Sequence, residues 1–306
     1  MRLPFKNLSD FHKAFPDEQT CIEFVAEMRW NGKPVCPHCN SDKKAYKIQQ
    51  GKKFKCSECR TNFTVKTGTI FEDSPISLYK WFLAIYLISS NKKGISSINL
   101  GQQIGVTQKT AWFMNHRIRF AMANGSFESE LNNTVEIDET YFGGKNKNKH
   151  QSKRLAGTGT ANKQAVFGMI ERQGNVKAIP VMKTDGETLV PIIIENVAKG
   201  TNIMTDEHGA YYYLGNNDYK HEVVNHTQGQ YVKGHIHTQN IENFWSLLKR
   251  GIYGIYHQVS PKHLHRYCNE YAFRFNSRVI NNNQRFEYTF TKINGRLDYK
   301  TLIGRQ

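Results

Sequence analysis

Two cysteine pairs constrain this chain more than any other feature. Cys36-Pro-His-Cys39 and Cys56-Ser-Glu-Cys59 are CxxC knuckles with sixteen residues between them. Each knuckle sets two thiolates about one tetrahedral edge apart, and a short hairpin between the pairs brings them to one centre. Four sulfurs make a closed site of the kind that holds one structural Zn²⁺; a redox CxxC would need a single pair. His38 lies inside the first knuckle and reads as a solvated residue, because four cysteines already complete the coordination. Cys21 and Cys268 stand alone. Such a distribution belongs to a reducing cytosol rather than to a disulfide framework.

The segment around the cysteines is short, strand-like and basic, with Lys43, Lys44, Lys47, Lys52, Lys53, Lys55 and Arg60. The whole chain has 42 Lys+Arg against 26 Asp+Glu in 306 residues, a net charge of +16. That excess points to a polyanionic partner, and a ribbon this basic suits DNA or RNA phosphates, although a solvated face would show the same charge. With 39% apolar and 12% aromatic residues the chain can bury real cores, which excludes a disordered protein. The longest apolar stretch, Trp81 to Ile88, is eight residues. A membrane span needs about 20. The N-terminus MRLPFKNLSDFHKAF has no apolar signal region. The expectation is a cytoplasmic protein without a membrane partner, on the nucleoid when bound to DNA.

Six segments follow along the chain. Residues 1–30 carry a helix capped by Asp17, with Cys21, Phe24, Val25 and Met28 at helical spacing. Residues 31–70 are the ribbon. Residues 71–123 read as helices: a buried one from Ser77, with Pro75 near its start, then Ile98 to Arg119, which resembles a helix-turn-helix. There Leu100 and Ile104 would face inward, Gly105-Val106 would turn, and Thr107 would cap the second helix. Gln108, Lys109, Thr110, Asn115 and Arg119 would form its exposed, DNA-facing side. An ordinary helical hairpin has the same pattern. Residues 124–133 form a linker. Residues 134–280 alternate strands and helices: a strand from Thr134 to Phe142, a basic Gly-rich loop from 143 to 163, and a hairpin around Gly174-Asn175. A helix follows from 186, strands at 201–206 and 221–225, and helices from 238 and 263. The sum is an α/β class, a mixed sheet with flanking helices. Residues 281–306 read as a tail.

Asp138 and Asp206 end apolar strands, where an unpaired charge is costly to bury, so both mark a site. Glu136 shares the face of Asp138; Glu139 and Glu207 point the other way and read as solvated or paired locally. Glu242 is the third candidate, with 67 residues between the aspartates and 35 between Asp206 and Glu242. Lys249 follows Glu242 by two helical turns, so both project from one face and can serve a metal and a phosphate together; a surface salt bridge is the plainer alternative. Hard carboxylate oxygens select Mg²⁺ or Mn²⁺, and two such ions would activate the attacking oxygen and stabilise the leaving one in a phosphodiester displacement. Asp138 would bridge both ions, while Asp206 and Glu242 would hold one each. His208 reads as packing, and His235 and His237 could orient the phosphate. Tyr211, Tyr212 and Tyr213 read as core and a DNA-side ledge, and Phe244 and Trp245 as core.

Together these motifs resemble the DDE-type bacterial insertion-sequence transposases, in the group that places a zinc ribbon before an RNase H-like core. The resemblance covers about residues 15–280 and is carried by the four cysteines and by residues 136–144, 205–211 and 241–254. It implies a catalytic triad of Asp138, Asp206 and Glu242, with Lys249 as a DNA-contacting partner; Arg250 beside it, and Lys109 and Arg119 of the helix-turn-helix, are the further DNA-binding candidates. In this group an Asn can take the third carboxylate position, which leaves Asn240, and after it His237, as rivals to Glu242. The resemblance also implies binding of terminal inverted repeats, strand cleavage and strand transfer, by at least a dimer on two DNA ends and with no small-molecule substrate. The competing functions are a zinc-ribbon DNA-binding regulator without activity and an RNase H-like nuclease that cuts without joining.

Overall fold

The computed structural model describes residues 5–124, 129–144, 150–153, 163–212, 214, 218–224 and 237–304. Tyr213, Asn225, His235 and most of the basic 143–163 stretch lie outside them. The chain divides into two compact units, Met1–Asn124 with Ser277–Gln306, and Gly125–Asn276. Among the described residues no helix is long and apolar enough to cross a membrane.

The first unit opens with α1 (Leu8–Ala14) and α2 (Glu18–Trp30). The side chains of Asn7 and Asp17 cap them by accepting from the backbone N–H of Asp10 and Thr20. The ribbon is a three-stranded antiparallel sheet of β1 (Ala45–Ile48), β2 (Lys53–Cys56) and β3 (Asn62–Phe63). In β2 the alternation is plain: Phe54 and Cys56 are buried, Lys53 and Lys55 exposed. Three helices follow, α3 (Leu78–Ser90), α4 (Ser97–Ile104) and α5 (Gln108–Ala123). Gly105 closes α4 in the left-handed conformation at φ 65°, which a residue with a Cβ adopts only with strain. The Thr107 side chain then caps α5 by accepting from Thr110 N–H.

Only the first turn of α5 has the expected exposed polar face. Gln108 and Lys109 are exposed, whereas Asn115 and Arg119 are 2% and 3% exposed, so the expectation that they face DNA is corrected. The reason is packing along the rest of the helix. Its neighbour Arg117, also buried, donates to the backbone carbonyls of Ile70, Glu72 and Leu297 and ties three segments together.

The second unit is built on β4 (Thr134–Phe142), β5 (Gln164–Glu171), β6 (Val176–Val181), α6 (Gly186–Asn196), β7 (Asn202–Thr205), β8 (Lys220–Val223), α7 (Gln239–Gly251) and α8 (Pro261–Asn276). The sheet order is β6-β5-β4-β7-β8, antiparallel among β4, β5 and β6 and parallel from β4 through β7 to β8. This is the RNase H-like mixed sheet with flanking helices. Both faces are covered, so β5 is a continuous apolar run. Phe167 and Met169 join Val135, Ile137, Leu189, Ile193 and Ile203 on the α6 side. Val166 and Ile170 meet Ile241, Phe244, Trp245 and Leu248 of α7, with Cys268 and Tyr271 of α8, on the other.

Residues 277–306 cluster with the first unit, in α9 (Asn282–Phe290) and α10 (Tyr299–Ile303), where the sequence reads as a tail. Phe286 and Phe290, one turn apart on α9, sit among Phe5, Phe15, Phe24 and Phe82 at ring separations of 4.6 to 6.3 Å, several of them edge-to-face. Two buried phenylalanines in an otherwise largely polar stretch make a weak stripe, which explains why periodicity alone passes over this helix.

Candidate functional site

The four cysteine sulfurs lie within 4.8 Å of one another. Cys36 and Cys59 are 3.6 Å apart, and Cys39 and Cys56 3.7 Å. A tetrahedral zinc with Zn–S bonds of about 2.3 Å sets sulfur–sulfur edges of about 3.8 Å, so the donor set fits that ion. The two knuckles are built alike: Cys36 N–H donates to Ser41 carbonyl and Cys56 N–H to Thr61 carbonyl. Asn40 and Arg60 take left-handed φ at matching positions. Behind them Trp30, Phe54 and Phe63 pack ring on ring.

The carboxylates gather at the end of β4. The parallel register pairs Glu136 with Met204. Extended by two residues, it sets Asp206 beside Asp138 and on the same face of the sheet. The α7 helix crosses that face with two stripes. Ile241, Phe244, Trp245 and Leu248 are buried against the sheet. Glu242, Ser246, Lys249 and Arg250 recur at helical spacing on the other stripe and line an open cavity with Asp138, Glu139, Thr140 and Trp245. Asp206 stands outside that lining, with its Oδ1 accepting His208 N–H at 3.0 Å. Among the described residues, the cysteines are the only group of three or more Cys, His, Asp or Glu ligand atoms within 4.8 Å of one another, so the three carboxylates are more widely spaced than that.

Asp138 is held by two donors: Glu139 N–H on Oδ1 at 2.8 Å and Trp245 Nε1–H on Oδ2 at 2.9 Å. Burial, with the nearby charges of Asp206 and Glu242, still pushes its carboxyl up to about 6. A cation in the cavity would offset that repulsion, and oxygen donors of this kind suit Mg²⁺ or Mn²⁺. Trp245, expected most simply as core, thus also orients Asp138. Gly168, paired with Asp138 across β4 and β5, makes this possible: a Cβ there would lie 2.4 Å from the indole of Trp245. Glu242 is exposed on the first turn of α7, where Thr238 hydroxyl donates to it at 3.2 Å.

Asn240 and His237, the two rivals of Glu242, turn to another group. Asn240 Nδ2 donates to Glu136 Oε1 at 2.7 Å, and His237 Nδ1 lies 3.3 Å from the same oxygen. His208, expected to pack, is instead exposed and caps a short turn, accepting from Ala210 N–H, so that expectation is corrected. Tyr211 is buried as expected, whereas Tyr212 is exposed.

Glu139 is the residue that sequence reasoning missed. Alternation does turn it away from Asp138, but it is half-buried, lines the cavity, and accepts a hydrogen bond from Tyr211 hydroxyl, 72 residues away, so neither solvation nor local pairing describes it. Burial, with the charges of Asp138 and Asp206, pushes its carboxyl up to about 7. The folded chain therefore binds this proton more tightly than the unfolded one. That contribution to stability is complete below about pH 4.5 and is lost as pH rises through about 7, on the order of 3 kcal/mol in all. In zinc-loaded protein without other divalent cation, Glu139→Gln, which keeps an acceptor for Tyr211, should flatten this fall and unfold at higher temperature than the parent at pH 8. A Glu139→Gln variant whose unfolding temperature falls between pH 5 and pH 8 as steeply as the parent's would refute the assignment.

Comparison with known proteins follows the same division. Residues 130–276 match the family model of the ISXO2-like transposase domain, and residues 16–62 that of the transposase zinc-ribbon domain. The "Uncharacterized protein in transposable element ISH50" of Halobacterium salinarum is 29% identical over 254 residues, covering 78% of this chain and 84% of its own. An "Uncharacterized transposase-like protein" of Haemophilus influenzae is 29% identical over 105 residues, 34% of this chain and 84% of its own. The crystal structure of a pre-cleavage Mos1 transpososome aligns with 66% of this chain and 75% of its own at 11% identity, with a TM-score of 0.21, too low to bear on fold or function.

Proposed function

We propose a function from one premise, that the chain belongs to the insertion-sequence transposases that carry a zinc ribbon ahead of a DDE-type, RNase H-like domain: it binds the terminal inverted repeats of its element, cleaves the DNA there and transfers the cut strand. The observation that carries this reading is the cavity of the second unit, where carboxylates and cations meet. Asp138 and Glu242 line it together with Lys249 and Arg250. Acidic groups alone would repel a phosphodiester, and basic groups alone would hold it without cutting.

Asp138, Asp206 and Glu242 would hold two divalent cations, Mg²⁺ or Mn²⁺. Such cations, when bound, supply activation of the attacking oxygen and stabilisation of the leaving one. The chain's own groups do the rest. Trp245 N–H and Glu139 N–H fix the Asp138 carboxylate and favour its ionised form. Lys249 and Arg250 offer charge-assisted donors to the scissile phosphate and its neighbour. One structural Zn²⁺ shapes the ribbon, whose exposed lysines, with Gln108 and Lys109, contact the DNA ends. Two ends require at least a dimer, working in the cytoplasm and on the nucleoid.

The test is purified protein on a duplex ending in the inverted repeat that flanks the gene. With Mg²⁺ it should nick at the repeat and join the end to a second duplex. Binding should weaken steeply with salt, by about 0.9 log units per log unit of salt for each phosphate neutralised. Cleavage without any joined product would favour the nuclease, and binding without cleavage the regulator.

A further inference from the structure

Glu136 is a fully buried carboxylate, 0% exposed, and lies two residues before Asp138 on the same face of β4. A buried charge persists only when it is paired and its lone pairs are used. Here Arg172 Nε donates to Oε1 at 2.8 Å and Asn240 Nδ2 to the same oxygen at 2.7 Å, with His237 Nδ1 at 3.3 Å. The second oxygen does something else. Glu136 Oε2 accepts the backbone N–H of Asn240 at 2.8 Å and of Ile241 at 3.2 Å.

Those two donors belong to the first turn of α7, and the start of a helix leaves such groups without an intrahelical partner. Thr238 stands at the capping position yet makes no side-chain cap; its hydroxyl goes to Glu242 instead. Glu136 therefore supplies the cap from a strand about one hundred residues earlier, and its charge suits the positive end of the helix. One turn further on, Trp245 ties the same helix to Asp138. Glu242 lies between these two ties. The strand that carries Asp138 thus also sets where Glu242 stands.

We infer that Glu136 is a positioning residue of the carboxylate site: its buried side chain clamps the first turn of α7, with Arg172 and Asn240 as partners, and so holds Glu242 opposite Asp138 for metal binding. This rests on the reading above in which Glu242 is a metal ligand. Nothing in it requires Glu136 to touch metal or DNA.

The experiment is Mn²⁺ titration of the full-length, zinc-loaded protein by electron paramagnetic resonance, in a double-mutant cycle. Outer groups that orient metal ligands typically change metal affinity about 10-fold or more, and Glu136→Gln should do so in the parent background. In a Glu242→Gln background the same substitution should change affinity less than about twofold, because the group it positions is gone. Should Glu136→Gln not fold, Asn240→Ala removes one side-chain donor and leaves the backbone cap. It should weaken Mn²⁺ binding about threefold, again only when Glu242 is present. A loss of equal size in both backgrounds means that the role is general packing, or that Asn240 itself is the ligand, and overturns the inference. Unchanged affinity in Glu136→Gln and Asn240→Ala beside a clear loss in Glu242→Gln overturns the clamp and leaves the site assignment standing. Unchanged affinity in Glu242→Gln alone removes the site assignment, and the clamp with it.

Discussion

Asp138→Ala, Asp206→Ala and Glu242→Ala should each lower strand cleavage by about 10³-fold or more, while binding of the element's ends changes less than about twofold, because in the proposed function each removes a metal ligand and not a DNA contact. Asp138, Asp206 and Glu242 would hold the divalent cations together, so the loss of any one should remove the activation that those cations would supply. Without divalent cation the variants should bind DNA slightly tighter than the parent, since the lost charge repelled phosphate. Lys249→Ala should behave differently, with weaker binding near the cut, reduced but measurable cleavage and a shallower salt dependence. Single-turnover cleavage of end-labelled repeat DNA and a filter-binding series would separate these outcomes. Normal cleavage by Glu242→Ala beside none by Asn240→Ala would move the third ligand to Asn240. Normal cleavage by all three carboxylate variants would end the enzyme reading.

The second large effect lies in the ribbon. Purified protein should hold one zinc per chain, and Cys36→Ser should release it. The apparent binding free energy of such sites in isolated fingers is about 10–16 kcal/mol and is also the folding free energy of the element. Behind the sulfurs stand only three short strands and the Trp30, Phe54 and Phe63 rings, too small a core to persist alone. Limited proteolysis of Cys36→Ser should therefore cut within residues 36–63. The helical part of the same unit, locked by Phe5, Phe15, Phe82, Phe286 and Phe290, should stay resistant. Zinc-free protein that resists cleavage between residues 36 and 63 would remove the zinc reading.

What the sequence determined by itself is whatever depends on near neighbours along the chain. CxxC spacing and a hairpin suffice to bring four sulfurs together, and the structure brings them together. Alternation suffices to place Glu136 and Asp138 on one face of β4, and a 3.6-residue period suffices to align Glu242 with Lys249 on α7. The tertiary structure decided which element covers each face. Glu136 and Asp138 are like residues two apart on one strand, yet the start of α7 lands on the first and Trp245 on the second. Glu139 became a cavity carboxylate because Tyr211 arrived from beyond β7. Arg119 was buried by packing along α5, and α9 was drawn into a core by two phenylalanines. Periodicity reports how a face is coloured, not what will meet it. A polar group's role is set by the partner it finds on burial, because an unpaired buried charge is the costliest outcome a fold can have.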